Sequence, residues 1–239
     1  MERIIQTPSQ QENHSIAFDL ARTLYKEHLI SIPEKWRDKK FQMLEGDRWK
    51  NIVSQYLLTW DFKEPLVCSF ISEYAGIGKS HAAWCLFKKY IYEWYITHQN
   101  ENYEVYKSLN GESEEYQRRE YFRPKVQCIT EASLVSTIKS IDKNSGFTEK
   151  DLLEQYTQYD ILFLDEMFKT NEFQKNLIYE IINQRFEWTM KPTIITGNIS
   201  YENLKQNGRI ISRINNAMLI NIEEKMEDMR PKYDGGTNG

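Results

Sequence analysis

Two short stretches carry residue types suited to phosphate chemistry. The first, Glu73-Tyr74-Ala75-Gly76-Ile77-Gly78-Lys79-Ser80, follows the apolar run Leu66–Ile71 and opens a segment that reads as a helix over about Lys79–Thr97. A glycine-bearing turn between a strand and a helix N-terminus aims backbone N–H groups at an anion, and the helix dipole favours its charge. Gly76 and Gly78 let the backbone curl close to a ligand with no Cβ in the way. Lys79 is placed to reach β- and γ-phosphates, and the Ser80 hydroxyl to hold Mg²⁺. The pattern GxxxxGK[ST] has glycine where this chain has Glu73, so a carboxylate stands at the turn out of the strand.

The second stretch is Tyr159-Asp160-Ile161-Leu162-Phe163-Leu164-Asp165-Glu166, an apolar run that ends in two carboxylates. A continuous apolar run fits a central parallel strand covered on both faces. Its C-terminal end lies at the sheet edge where open α/β sheets bind ligands. Asp165 is then placed to hold Mg²⁺, directly or through water, and Glu166 to polarise a water that attacks the γ-phosphate. The two stretches occur in this order about ninety residues apart, which points to an ATPase. Downstream, Thr193–Thr196 reads as a strand running into Gly197-Asn198, with Asn198 at the tip of a strand expected beside that of Asp165. An amide there can hold the attacking water or a γ-phosphate oxygen. Tyr201 to Asn215 reads as a helix bearing Arg209 and Arg213.

The rest of the chain must position these groups. Its 239 residues suffice for one α/β domain with an appendage, and 40% hydrophobic with 28% charged residues suits a globular protein. A net charge of −4 excludes a global basic field, so any nucleic-acid contact must come from a local patch. Cys68, Cys85 and Cys128 lack metal-site spacing and read as small buried apolar residues in a reducing compartment. No apolar run approaches the ~18 residues of a membrane span. The N-terminus lacks a signal-peptide core, so a cytoplasmic protein is expected.

Asn13–His28 carries Ile16, Leu20 and Leu24 on one helical face, and a second helix is expected over about Asp47–Thr59. These helices read as packing on the chain's own core, with a partner-docking surface as the alternative for Asn13–His28. His98 to Lys125 is polar and without periodicity, and reads as an insertion or long loop. Its Arg118, Arg119 and Arg123, among Tyr116, Tyr121 and Phe122, suit single-stranded nucleic acid through phosphate contacts and base stacking; a solvated loop is the competing reading. Val126–Thr130 reads as a strand, Glu131–Ile141 and Phe147–Tyr156 as helices, Asn171–Trp188 as a helix, and Ala217–Ile222 as the last strand. The expected division is a helical N-terminal region over 1–62, a core over 63–230 with its insertion at 98–125, and a flexible tail over 231–239.

The run Thr193–Leu204, then Gly208-Arg209-Ile210-Ile211-Ser212-Arg213-Ile214, resembles the DnaC/IstB group of AAA+ ATPases. So do Asp160–Glu166 and the segment Val126–Ile141, and the likeness covers roughly residues 60–230. The resemblance implies a P-loop NTPase core with a five-stranded parallel sheet and no C-terminal helical lid. It implies nucleotide contacts from Gly76, Ile77, Gly78, Lys79, Ser80 and His81, and Mg²⁺ held by Ser80 and Asp165. Catalytic roles would fall to Glu166, to Asn198 as sensor 1, and to Arg213 as an arginine finger acting on a neighbour's ATP. Arg230 falls where a sensor 2 arginine could lie.

The function so implied is a helicase loader of phage or mobile-element type, acting in DNA replication in a bacterial or phage-infected cell. It would bind and hydrolyse ATP, self-associate through ATP interfaces, bind single-stranded DNA and dock on a hexameric replicative helicase. An IstB-like transposition helper shares the same core and differs in partner. A non-hydrolysing, ATP-gated adaptor is the reading that Glu73 prompts. A small-molecule or nucleotide kinase is disfavoured by the adjacent Asp165-Glu166 pair and by Asn198.

Overall fold

The structure, a computed structural model, describes residues 10–40, 67–109, 112–113, 120–141, 148–168, 172–189, 191–206, 208–215 and 218–221. They fall into two compact units. One is built on a parallel sheet: β1 (Val67–Ile71), β2 (Val126–Thr130), β3 (Ile161–Met167), β4 (Thr193–Gly197) and β5 (Met218–Asn221), in the order β2-β3-β4-β1-β5. The other is helical. It contains α1 (Gln10–Leu29), α2 (Glu34–Arg37), the Lys88–Thr97 half of α3 (Lys79–Thr97) and α4 (Gln99–Ser108).

The sheet is buried as its sequence dictates. Every residue of β1 and β4 is buried, as are Ile161 to Leu164 of β3, because helices cover both faces. Side chains alternate across a strand, so β3 feeds two cores. Phe163 meets Trp84 and Phe87 of α3, with ring centroids 5.3 and 6.0 Å away. Leu162 and Leu164 join the opposite core. There they meet Leu134 of α5 (Glu131–Lys139), Leu152 of α6 (Glu149–Gln158), Ile178 and Ile181 of α7 (Glu172–Gln184), and Ile210 of α9 (Gly208–Asn215). The edge strand β2 is mostly half-exposed, which accommodates Gln127.

Local signals set the helix ends. Thr130 caps α5 by accepting from Ser133 N. Thr148 and Asp151 form a reciprocal capping box at α6, two orphan donors satisfied together. The segment expected as one helix over Tyr201–Asn215 is two, α8 (Tyr201–Lys205) and α9, with Ser200 capping the first. Helix α7 passes into a π-helical turn over Arg185–Thr189.

Gly197, at the end of β4, has no room for a side chain. A Cβ there would lie 2.9 Å from both Ile71 Cδ1 and Phe168 Cδ2 and 3.3 Å from Met167 O. Gly197→Ala is therefore expected to destabilise this unit by about 1–3 kcal/mol through overpacking. The readout is a lower urea midpoint with an unchanged slope. An unmoved midpoint would mean that both side-chain tips yield at no cost.

In the helical unit α1 buries Ala17, Ala21 and Leu24 and packs along α4, where Tyr103 Oη donates to Asn13 Oδ1 at 2.7 Å. The presence of α4 corrects the expectation of a loop after His98. Its buried positions include Asn102, a polar residue that a hydrophobic period cannot register. Asn102 donates from Nδ2 to Phe122 O (3.3 Å) and accepts from Phe122 N (2.8 Å), pinning the returning chain. Arg123 forms an ion pair with Glu27 at 3.1 Å, and Phe122 is left 53% exposed. The expected helix over Asp47–Thr59, together with Tyr116, Arg118, Arg119 and the tail 231–239, lies outside the described residues.

Candidate nucleotide site

The loop after β1 is built from its backbone. Ser72 N donates to Gly197 O at 3.2 Å, extending the β1–β4 pairing by one residue. Tyr74 N donates to Ser72 Oγ at 3.2 Å and starts the turn. Gly76 (φ 75°) and Gly78 (φ 96°) adopt left-handed conformations that a side chain would strain. Ile77 between them is fully buried and anchors the loop to the core. Ala82 N donates to Gly78 O at 2.9 Å, an early intrahelical bond of α3. A helix start of this kind leaves its first N–H groups without intrahelical acceptors, a ready anion site.

Lys79 is 6% exposed, and its Nζ donates to Tyr74 O at 2.5 Å. Glu73 is exposed, and its carboxylate takes a hydrogen bond from the Tyr74 hydroxyl, which raises the tyrosine's pKa above its usual value. The departure from the glycine pattern is thus accommodated at the surface. His81, half-buried, donates from Nε2 to Lys40 O at 3.0 Å.

The carboxylate stretch arrives at the same place. Asp165 Oδ1 accepts from Ser80 Oγ at 3.1 Å and from Thr196 Oγ1 at 2.5 Å. Glu166, the next residue, is exposed at φ 59°, and Phe168 is buried at φ 71°. The β3–β4 register is irregular between Leu164 and Met167, so the strand bulges where the two carboxylates sit. Glu166 N donates to Thr196 Oγ1 at 2.8 Å. Asn198 is exposed directly after β4, the strand that lies between β3 and β1.

Gly76, Ile77, Gly78, Lys79, Ser80 and Asp165 therefore converge, with Glu166 and Asn198 at the ends of neighbouring strands. The backbone of Arg213 lies in α9, near the end that leads into β5. Met218 of β5 pairs with Cys68, at the end of β1 away from the loop. Arg230 lies outside the described residues. Among the described residues no group of three His, Cys, Asp or Glu side chains could hold a metal. Ser80 Oγ and Asp165 Oδ1 are hard oxygens at contact distance, a donor pair that suits Mg²⁺ when substrate phosphates and waters complete its shell.

Sequence reasoning passes over two residues. Thr196 reads only as a β-branched strand residue. Arg185 falls within the expected helix Asn171–Trp188 with no role read for it, yet it is fully buried. It donates from Nε to Thr193 Oγ1 (2.7 Å), from Nη1 to the carbonyls of Tyr156 (3.0 Å), Thr157 (3.2 Å) and Tyr159 (2.7 Å), and from Nη2 to Pro192 O (2.7 Å).

No protein-family model matches the chain, and no curated protein matches it in sequence. Solved structures do match its fold. The DnaC helicase loader is similar with a TM-score of 0.53 and 17% identity, over 80% of this chain and 100% of that one. DnaI is similar with a TM-score of 0.51 and 14% identity, over 84% and 95%. AMPPCP-bound DnaA from Aquifex aeolicus is similar with a TM-score of 0.51 and 16% identity, over 83% and 53%, so the chain spans about half the length of that DnaA. The chain thus shares the fold of these structures. Among the described residues no helix is long and apolar enough to cross a membrane.

Proposed function

We propose that this protein binds and hydrolyses ATP with Mg²⁺ and acts as a DnaC-like helicase loader in DNA replication. The observation that carries the reading is the contact of the Ser80 hydroxyl with Asp165 Oδ1, which joins the phosphate loop to the carboxylate strand. Gly76, Ile77, Gly78 and His81 supply backbone to the phosphates, and Lys79 exchanges the Tyr74 carbonyl for a phosphate oxygen. Ser80 and Asp165 hold the cation, which neutralises phosphate charge when bound. Ser80 can offer a lone pair to the metal while its hydroxyl still donates to Asp165 Oδ1. Glu166 takes a proton from the attacking water, which Asn198 helps to hold. Arg213 acts on the ATP of a neighbouring protomer, since the chain enters β5 at the sheet end remote from its own loop. Arg230 contacts the nucleotide from beyond the described residues.

The loader reading draws on coverage of 100% of the DnaC chain and 95% of the DnaI chain, against 53% of DnaA. The proposed partners are a hexameric replicative helicase and single-stranded DNA, the latter through Arg118, Arg119 and Arg123 with the exposed Phe122, while Tyr121 is buried and does not stack. Lys79→Ala is expected to weaken ATP binding about thirtyfold, the worth of a charge-assisted contact of about 2 kcal/mol. Titration with a fluorescent ATP analogue reads this, and an affinity within threefold of the parent counts against the site. Pull-down on an immobilised replicative helicase, with a transposase in parallel, tests the partner. Retention on the transposase alone replaces the loader with a transposition helper.

A further inference from the structure

Thr196 is 1% exposed at the C-terminal end of β4, and its one hydroxyl lies between two groups of β3. Its Oγ1 accepts from Glu166 N at 2.8 Å and donates to Asp165 Oδ1 at 2.5 Å. A hydroxyl has a single proton. With a lone pair engaged by the amide, that proton is committed to the aspartate, at a distance typical of a charge-assisted O–H···O⁻ bond. Asp165 Oδ1 also receives the Ser80 hydroxyl at 3.1 Å. The result is one chain of donors: Glu166 N–H to Thr196, Thr196 O–H to Asp165, and Ser80 O–H to the same oxygen.

The bulge explains why a side chain is needed here. The β3–β4 register breaks between Leu164 and Met167, the span that contains Glu166. There Glu166 N–H donates to a side chain of β4. The bond ties the bulged backbone of β3 to β4, so the hydroxyl holds the bulge in place. The same bond fixes the backbone from which the Glu166 side chain leaves the strand.

We propose that Thr196 is a positioning residue whose one hydroxyl locks the Asp165 carboxylate and the Glu166 backbone, orienting Asp165 toward the cation and Glu166 toward the attacking water. The inference deepens the ATPase reading and rests on it. Thr196→Val keeps the shape and removes both bonds, whereas Thr196→Ser keeps the hydroxyl. Two quantities are measured on each protein: phosphate release with Mg²⁺–ATP, and ATP affinity in Mg²⁺ compared with EDTA. Thr196→Val is expected to lose at least tenfold in release and to shrink the Mg²⁺-dependent gain in affinity severalfold. Its affinity in EDTA should stay within twofold. Thr196→Ser should recover most of both.

A Thr196→Val protein with release and Mg²⁺ gain within twofold of the parent would overturn the proposal. So would a Thr196→Ser protein as impaired as the valine variant, because the methyl group and not the hydroxyl would then matter. If the parent chain releases no phosphate, the hydrolysis reading fails by itself, and the Mg²⁺ gain in affinity still decides the role of Thr196. If Thr196→Val does not fold, the comparison of serine with alanine at this position applies the same criteria.

Discussion

Glu166→Gln is expected to hold ATP within about threefold of the parent affinity and to release phosphate at least a hundredfold more slowly, about 2.7 kcal/mol on the barrier. Glu166 leaves β3 one residue after Asp165, whose oxygen holds Ser80 of the phosphate loop. Its side chain is exposed at that sheet end and can meet a water there. Glutamine keeps the length and the shape but cannot accept the water's proton. In the proposed site binding rests on the loop backbone, Lys79 and Ser80, none of which the substitution touches. Steady-state phosphate release and nucleotide titration in one buffer give both numbers. Turnover within threefold of the parent would place the base elsewhere. A parallel collapse of binding would make Glu166 a shaping element of the loop.

Arg185→Met is expected to destabilise the sheet unit by about 3–5 kcal/mol, the scale for removing one partner from a buried charged network. The guanidinium donates to the carbonyls of Tyr156, Thr157, Tyr159 and Pro192 and to the Thr193 hydroxyl. Two of those carbonyls belong to the last turn of α6, which has no intrahelical donors left for them. Methionine fills much of the volume and satisfies none of them. Burial pulls the guanidinium's pKa down to about 9, against the opposing effect of Asp160, so it remains charged at neutral pH. Urea unfolding reads the loss as a shifted midpoint. Arg185→Lys should fall between, since one ammonium cannot span the same fan of acceptors. A loss under 1 kcal/mol for Arg185→Met would mean that water replaces the guanidinium.

The elements around the chemistry were readable because their physics is local. The helix Lys79–Thr97 and the strand Val126–Thr130 have the expected bounds, since a glycine-rich turn and a short apolar run punctuate them. The parallel arrangement follows from strands alternating with helical segments, and β4 does lie beside β3 as the position of Asn198 requires. What stayed hidden depends on polar groups that only the fold brings together. A buried Asn102 organises the segment that read as a loop. Thr193 and Thr196, at the two ends of one strand, look alike in sequence, yet one receives the Arg185 guanidinium and the other binds Asp165. The break between α8 and α9 escaped because Leu204 and Ile210 each keep a helical period with their neighbours.

The left-handed backbone at Glu166 sets stability against activity. A non-glycine residue there carries about 1–2 kcal/mol of local strain, which the surrounding bonds must hold. Glycine at this position would relieve that strain and remove the proposed base with it. Variant libraries ranked by melting temperature alone would therefore enrich sequences that have lost the chemistry. Thermostabilisation of this chain should leave position 166 fixed and draw its gains from sites far from the loop, where rigidity and turnover do not compete.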